Sequence, residues 1–255
     1  MAKPLPDEAY DWLRCVCDAR GRLQRAPESL TCTACGAVHP VVDGVPVILD
    51  RRRSVFDPEE IISSYRSGPP RRLERAVRAA LRFVPPIGSN LAAGRVSTVM
   101  RDMLSRIEKP NLLVVGGGDA GAGLEGLLDE PRYTTVESDI YFGPRCNLIA
   151  DGHDLPFASG SFDAVICQAV LEHVVRPHDC IAEMHRVLKP HGVVFIDVPF
   201  LFPVHMGAHD FTRFTLGGLR AACRRFDELE AGVSGGPGQA VAWMILYDLR
   251  ALSSA

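Results

Sequence analysis

The stretch that decides the reading runs from 112 to 123, "LLVVGGGDAGAG". Four apolar residues enter a glycine-rich turn in which Gly116, Gly118 and Gly121 spell G-x-G-x-x-G, and Asp139 follows about twenty residues on. Glycines let the backbone approach a ligand closely, and the following helix offers its N-terminal amides to negative charge. A pyrophosphate and an amino-acid carboxylate would both be satisfied there. The stretch alone therefore leaves a nicotinamide enzyme and other adenosine ligands open.

Outward from this turn, strand patterns at 112–115, 133–138, 147–150, 163–168, 193–198 and about 226–233 alternate with helical patterns near 121–129, 177–188, 215–224 and 237–251. Such alternation predicts an α/β, Rossmann-like, doubly wound and mostly parallel sheet. The second strand ends "TTVESDI", where Glu137 and Asp139 both qualify to accept ribose hydroxyls. Asp139 is preferred because it stands at the strand tip, followed by Ile140, which could pack beneath an adenine; Glu137 also reads as an unrelated surface acid.

The segment 148–174, "LIADGHDLPFASGSFDAVICQAVLEHV", resembles the central signature of class I S-adenosylmethionine-dependent methyltransferases (type 11-like), and "MHRVLKPHGVVFIDVP" (184–199) is similar to that family's helix, turn and fifth strand. His191 stands where the family usually has a glycine. The resemblance covers about Asn111 to Arg224. It implies S-adenosylmethionine held by Gly116, Gly118, Asp119, Gly121, Asp139, Ile140, Asp151, Gly152, His153, Leu155 and Gln168, with Asp151 receiving the adenine amino group. One departure is Val114, where the family generally carries an acid that helps hold the methionine amino group; Asp119 is a substitute within the loop.

The segment from Gln168 to His173 should line the methyl-donor pocket, with His173 either a base or a structural histidine capping a turn. "HDFTRFT" (209–215) looks like a segment of one methyltransferase subgroup, in the loop beyond the fifth strand, which faces the ligand crevice. His205, Asp210 and Arg213 could contact an acceptor there, or Asp210 and Arg213 could pair to pin the loop; His209 is the preferred acid/base.

At the other end, "LRCVC…LTCTACGAVHPVVDGVPVIL" resembles a small zinc-ribbon-like family whose members include subunits that activate methyltransferases. Cys15, Cys17, Cys32 and Cys35 are the metal candidates. Tetrahedral zinc prefers knuckles with two residues between their cysteines, which Cys32 and Cys35 obey and Cys15 and Cys17 do not. Structural zinc is thus an open expectation. The runs "WLRCVC", "SLTCTAC" and "AVHPVVDGVPVILD" read as short strands, with Asp43-Gly44 as a hairpin turn. A unit this short has too little core to stand without a staple.

These readings divide the chain into a zinc-ribbon-like unit (1–50), a basic helical connector (51–109) and a methyltransferase domain (110–255). The connector carries 13 Lys/Arg against 6 Asp/Glu, within a chain of 255 residues and net charge −3. Its Leu73, Ala76, Val77, Ala80, Leu81 and Val84 recur at helical spacing opposite Arg71, Arg72, Arg75, Arg78 and Arg82, and a second helical stretch spans about Ala92 to Ile107. No apolar run approaches the roughly 20 residues of a membrane span, and no secretion pattern opens the chain, so the expected location is cytoplasmic.

The expected activity is methyl transfer to an oxygen or nitrogen of a small molecule or glycan intermediate. RNA is the rival acceptor, through the basic connector. An inactive scaffold of the same fold is a further alternative, and a nicotinamide oxidoreductase the last. A homodimer could cover an exposed sheet edge or apolar terminal helix.

Overall fold

A computed structural model describes residues 3–67, 90–118, 123–205 and 209–253, with side chains as far as 248. Asp119, Gly121 and the arginine-flanked pattern at 71–84 lie outside the described residues.

One nine-stranded sheet runs through the molecule. Its strands are β1 (Leu23–Ala26), β2 (Ser29–Cys32), β3 (Val38–Val42), β4 (Val45–Ile48), β5 (Asn111–Val115), β6 (Thr134–Asp139), β7 (Leu148–Ala150), β8 (Phe162–Gln168) and β9 (Leu188–Asp197). They lie in the order β1-β2-β3-β4-β7-β6-β5-β8-β9. The first four pair antiparallel, and every pairing from β4 onward is parallel. The helices are α1 (Pro58–Ser67), α2 (Ala93–Leu104), α3 (Glu125–Leu128), α4 (Pro177–Val187), α5 (Leu216–Ala222) and α6 (Pro237–Ser253).

The apolar run of β5 reflects burial on both faces, as a central parallel strand requires. Leu113 and Val115 pack with Ile181, Met184 and Val187 of α4. Leu112 and Val114 face the other way, against Ala93, Met100 and Leu104 of α2 and Leu127 and Leu128 of α3. Truncating any of these leucines to alanine should cost about 2–5 kcal/mol.

The N-terminal hairpins solve their shortage of core by joining the main sheet. Asp43 and Gly44 both take positive φ, 50° and 81°, as a tight two-residue hairpin turn requires, and return the chain as β4. All four β4 residues are buried, and Val47 and Ile48 pair with Ile149 and Ala150 of β7. Leu30 and Ile48 share a cluster with Leu155 and Phe157.

Two expectations are corrected. "WLRCVC" is no strand; it contributes only the isolated bridges Leu13–Phe157 and Arg14–Arg22, while β1 forms later at Leu23–Ala26. That edge strand, "LQRA", is mostly exposed and so carries no apolar signature. Residues 226–233 form no strand either. Leu229 and Val233 are exposed, and the acids on either side of Leu229 bond outward, Glu228 to Arg220 and Glu230 to Arg95. Such a segment has no face to bury.

Candidate functional site

Because β4 to β9 run parallel in this order, their C-terminal ends share one edge, and the order reverses between β5 and β8. A crevice at this reversal is where doubly wound sheets bind ligands. Gly116 opens the turn after β5 with φ +77°, and a Cβ there would lie 2.2 Å from Val170 Cγ2, so only glycine fits. The amides of Gly116 and Gly117 donate to Ser138 O at 2.8 and 2.9 Å, tying the turn to β6. The Asp139 carboxylate completes the frame, accepting from Gly118 N (2.9 Å), Ile140 N (2.7 Å) and Tyr141 N (3.1 Å). Val114 is buried beneath this turn and offers no polar atom there.

Glu137 is not a surface acid. It is buried beneath the turn and accepts two bonds from Arg145, at 2.8 and 3.0 Å. Burial pushes its carboxyl up, and the guanidinium offsets that only in part.

Asp151 follows β7 directly. Its Oδ1 accepts from His153 N (2.9 Å) and His153 Nδ1 (2.6 Å), and its Oδ2 from Ser54 Oγ (2.6 Å). His153 Nε2 accepts from Arg176 N at 3.1 Å, which places the imidazole proton on Nδ1. Burial alone would raise the Asp151 carboxyl; the bonds from His153 and Ser54 win, holding it below the usual range. A cleft of about 440 Å³ opens beside it, lined in part by Arg52, Ser54 and Arg176. Ser54 had no signal in the sequence, because only the β4–β7 register brings it to Asp151.

Leu155 is fully buried. The turn it begins is clamped by Arg186, which donates to Phe157 O (2.6 Å) and Leu155 O (2.8 Å). Two motifs far apart in sequence, "LPF" and "MHRVLKP", thus meet in one contact. Gly152 packs toward Cys180.

At the ends of β8 and β9, Gln168 Nε2 donates to Asp197 Oδ2 (3.2 Å), and Asp197 also accepts from Ser234 Oγ (2.7 Å) and Asn90 Nδ2 (3.4 Å). Gln168 Oε1 is buried without a hydrogen-bond partner among the described residues. Ala169 beside it holds φ 54°, a strained conformation for a residue with a Cβ. Asp197, Asn90 and Ser234 escaped the sequence reading, since nothing local marks them.

The 3-10 turn Leu171–His173 follows. His173 Nδ1 donates to His209 O at 2.6 Å, which ties it to the loop 209–215 and leaves Nε2 its lone pair. The loop 209–215 docks here, with Phe211 N and Thr212 N donating to Glu172 O. Asp210 and Arg213 pin that loop: Arg213 grips both Asp210 oxygens, and Asp210 Oδ2 accepts from His205 N at 2.7 Å. The guanidinium holds the Asp210 carboxyl far below its ordinary range. The His209 ring lies 5.5 Å from that of Phe56. His173 and His205 meet edge to face, centroids 4.6 Å apart.

The four N-terminal cysteines converge. Cys15 and Cys35 lie 3.8 Å apart and Cys17 and Cys32 3.9 Å apart, with all four sulfurs within 4.8 Å of one another. A zinc–sulfur bond of about 2.3 Å sets tetrahedral sulfur edges near about 3.8 Å, so the cluster fits the ion. Cys32 Sγ accepts from Ala34 N and Cys35 N, both at 3.4 Å. His39, within the stretch that carries the zinc-ribbon-like resemblance, is buried against Cys15 Sγ at 3.3 Å. The missing residue between Cys15 and Cys17 does not prevent convergence.

Comparison with known proteins agrees with this geometry. Residues 129–196 match the family model described as a methyltransferase domain. A protein of Mycobacterium tuberculosis named an uncharacterized methyltransferase is 38% identical over 125 residues, covering 44% of this chain and 48% of its own. Another, of Mycobacterium marinum, is 36% identical over the same length and coverage. The chain thus spans about half the length of the curated relatives it matches. Among solved structures, a complex of a Haloferax volcanii methyltransferase activator with a methyltransferase aligns at 23% identity and TM-score 0.38, covering 53% of this chain and 74% of that one. A phosphoethanolamine N-methyltransferase of Haemonchus contortus aligns at 15% identity and TM-score 0.40, covering 51% and 36%. Residues 129–196 thus carry a match to a methyltransferase domain, set within the parallel sheet and its ordered strand-end acids.

Proposed function

We propose that the protein transfers the methyl group of S-adenosylmethionine to an oxygen or nitrogen nucleophile of a small molecule or glycan intermediate. The observation that carries this reading is the pair Asp139 and Asp151, at the ends of adjacent parallel strands beside the positive-φ turn of Gly116. When bound, the donor supplies an electrophilic methyl on a sulfonium, so positioning of the nucleophile provides much of the acceleration.

The chain's own groups divide the work. Asp139 orders the turn and meets the ribose, with Ile140 beneath the base. Asp151 and His153, beside Gly152, form the adenine end, and Leu155 anchors their loop from the core. Gly116 and Gly118, with Asp119 and Gly121, form the methionine end. In place of an acid at Val114, the unpartnered Gln168 Oε1, backed by Asp197, accepts from the ammonium. On the acceptor side, His173 presents a basic Nε2 and His209 is the alternative acid/base, on a loop shaped by His205, Asp210 and Arg213.

Small molecules are favoured over RNA because several connector arginines already face acids: Arg51 pairs Asp57 and Glu59, Arg52 pairs Asp50, and Arg95 pairs Glu230. The cysteine cluster would hold a structural zinc ion. Among the described residues, no helix is long and apolar enough to cross a membrane. Calorimetric titration of the full chain with S-adenosylmethionine tests the central claim. Micromolar binding, weakened in Asp151→Ala, supports it, and no binding at millimolar ligand overturns it.

A further inference from the structure

We propose that Glu172, His173 and His205 form a binding site for a divalent first-row transition-metal ion, on the acceptor side of the crevice. The three side chains place ligand atoms within 4.8 Å of one another. Glu172 is the anchor. Its side chain is 1% exposed, and neither carboxylate oxygen has a hydrogen-bond partner among the described residues. An unpaired carboxylate in such a place costs several kcal/mol, and a protonated one still needs an acceptor for its O–H. The nearest basic atom recorded, His173 Nε2, stands 3.7 Å from Oε1, beyond hydrogen-bond reach. Arg213, the cation on the neighbouring loop, is committed to Asp210 and to the carbonyls of Pro203 and Thr212. A metal ion meets the need that these groups leave.

The donor set names the kind of ion. One carboxylate and two imidazoles suit iron(II), cobalt, nickel or zinc, whereas magnesium and calcium favour all-oxygen shells. Three protein ligands leave positions open, the mark of a site that handles a substrate. The outer groups are arranged as ligating histidines require. His173 is oriented through Nδ1 by His209 O. His205 Nδ1 lies 3.2 Å from Pro203 O and 3.4 Å from Asp210 Oδ2, which Arg213 fixes in place. This leaves Nε2 of each ring as its basic nitrogen. His205 is partly exposed on its loop, so its ring can draw in to bonding distance.

The location gives the ion its use. Val170, which precedes the Glu172 turn, sits against Gly116, so the turn that supplies two of the three ligands adjoins the glycine turn of the crevice. An acceptor oxygen bound there would be oriented and made more acidic, and His209 is then the acid/base, because the His173 Nε2 lone pair is on the ion. That use rests on the methyltransferase reading; the binding of the ion does not.

Cobalt(II) titration of the full chain without methyl donor tests the site, followed by absorption spectroscopy and metal analysis. Cobalt held by the cysteines shows thiolate charge-transfer bands, and cobalt at this site shows none. The expected result is one equivalent without thiolate bands, weakened at least about tenfold in His205→Ala and in the isosteric Glu172→Gln. Cobalt bound only with thiolate character, or a thiolate-free equivalent untouched by both variants, overturns the proposal. Failure here leaves the S-adenosylmethionine titration unaffected, and the converse also holds.

Discussion

Two clusters of ligand-type side chains sit at opposite regions of this molecule, and they are built differently. The cysteine cluster draws its sulfurs from two short segments, already near tetrahedral spacing, with amides and His39 directed at them. All four donors are of one soft type, which would close the shell around a zinc ion and make it a structural staple. The Glu172–His173–His205 cluster unites a turn after β8 with a loop more than thirty residues later. Its donors are mixed, incomplete and next to the crevice. One arrangement holds an edge of the sheet together; the other leaves room for a ligand.

The comparison breaks first at Cys32. Cys32→Ser should abolish zinc retention and cost about 4 kcal/mol, lowering the melting temperature by about 10 °C. Calorimetric scans with metal analysis decide this, and an unchanged melt would deny the cluster its role as a staple.

Glu172 tests the opposite character. Burial lifts its carboxyl to about 7, so between its ordinary value and 7 the folded chain holds a proton that the unfolded chain has released. Stability of the metal-free chain therefore falls as pH rises through that window. Glu172→Gln should remove the slope, stabilising the metal-free chain by roughly 3 kcal/mol near pH 8 and leaving it unchanged near pH 4. Denaturation across pH gives the answer; a slope that survives in Glu172→Gln would place its origin elsewhere.

Asp139→Asn separates donor binding from both clusters. Weakened bonds to Gly118, Ile140 and ribose should reduce S-adenosylmethionine affinity about 30-fold, near 2 kcal/mol, with metal content unchanged. Titration calorimetry reads the affinity, and a wild-type value would remove Asp139 from the site. The smallest effect is expected at His191, which holds φ 64° where the family resemblance calls for glycine. His191→Gly should relieve that strain and raise stability by about 0.5–1 kcal/mol, a control that touches neither cluster. A lower melting temperature would show that its side chain contributes packing that outweighs the strain.

Much of this was legible in advance. Gly116, Asp139 and Asp151 could be placed because each stands at the end of a strand whose apolar run is readable locally. The cysteines could be grouped because all four crowd the first 35 residues. The supposed strand at 226–233 was misread because its valine and leucine carry β propensity, yet its acids pair outward with Arg220 and Arg95. Ser54 and Asp197 left no trace, since their partners lie far away in sequence, and Glu172 was marked only as one of the residues between Gln168 and His173.

The sequence by itself determined the alternation of strands and helices, the glycine turn, the order of the strand-end acids and the presence of four thiols. These depend on periodicity and residue type within short windows. Only the tertiary structure decided that β4 would extend the sheet through β7, that Ser54 would reach Asp151, and that Glu172 would be buried beside two histidines without a hydrogen-bond partner among the described residues. Burial and partnership are properties of long-range packing, and the same glutamate on an exposed turn would have no need of a cation.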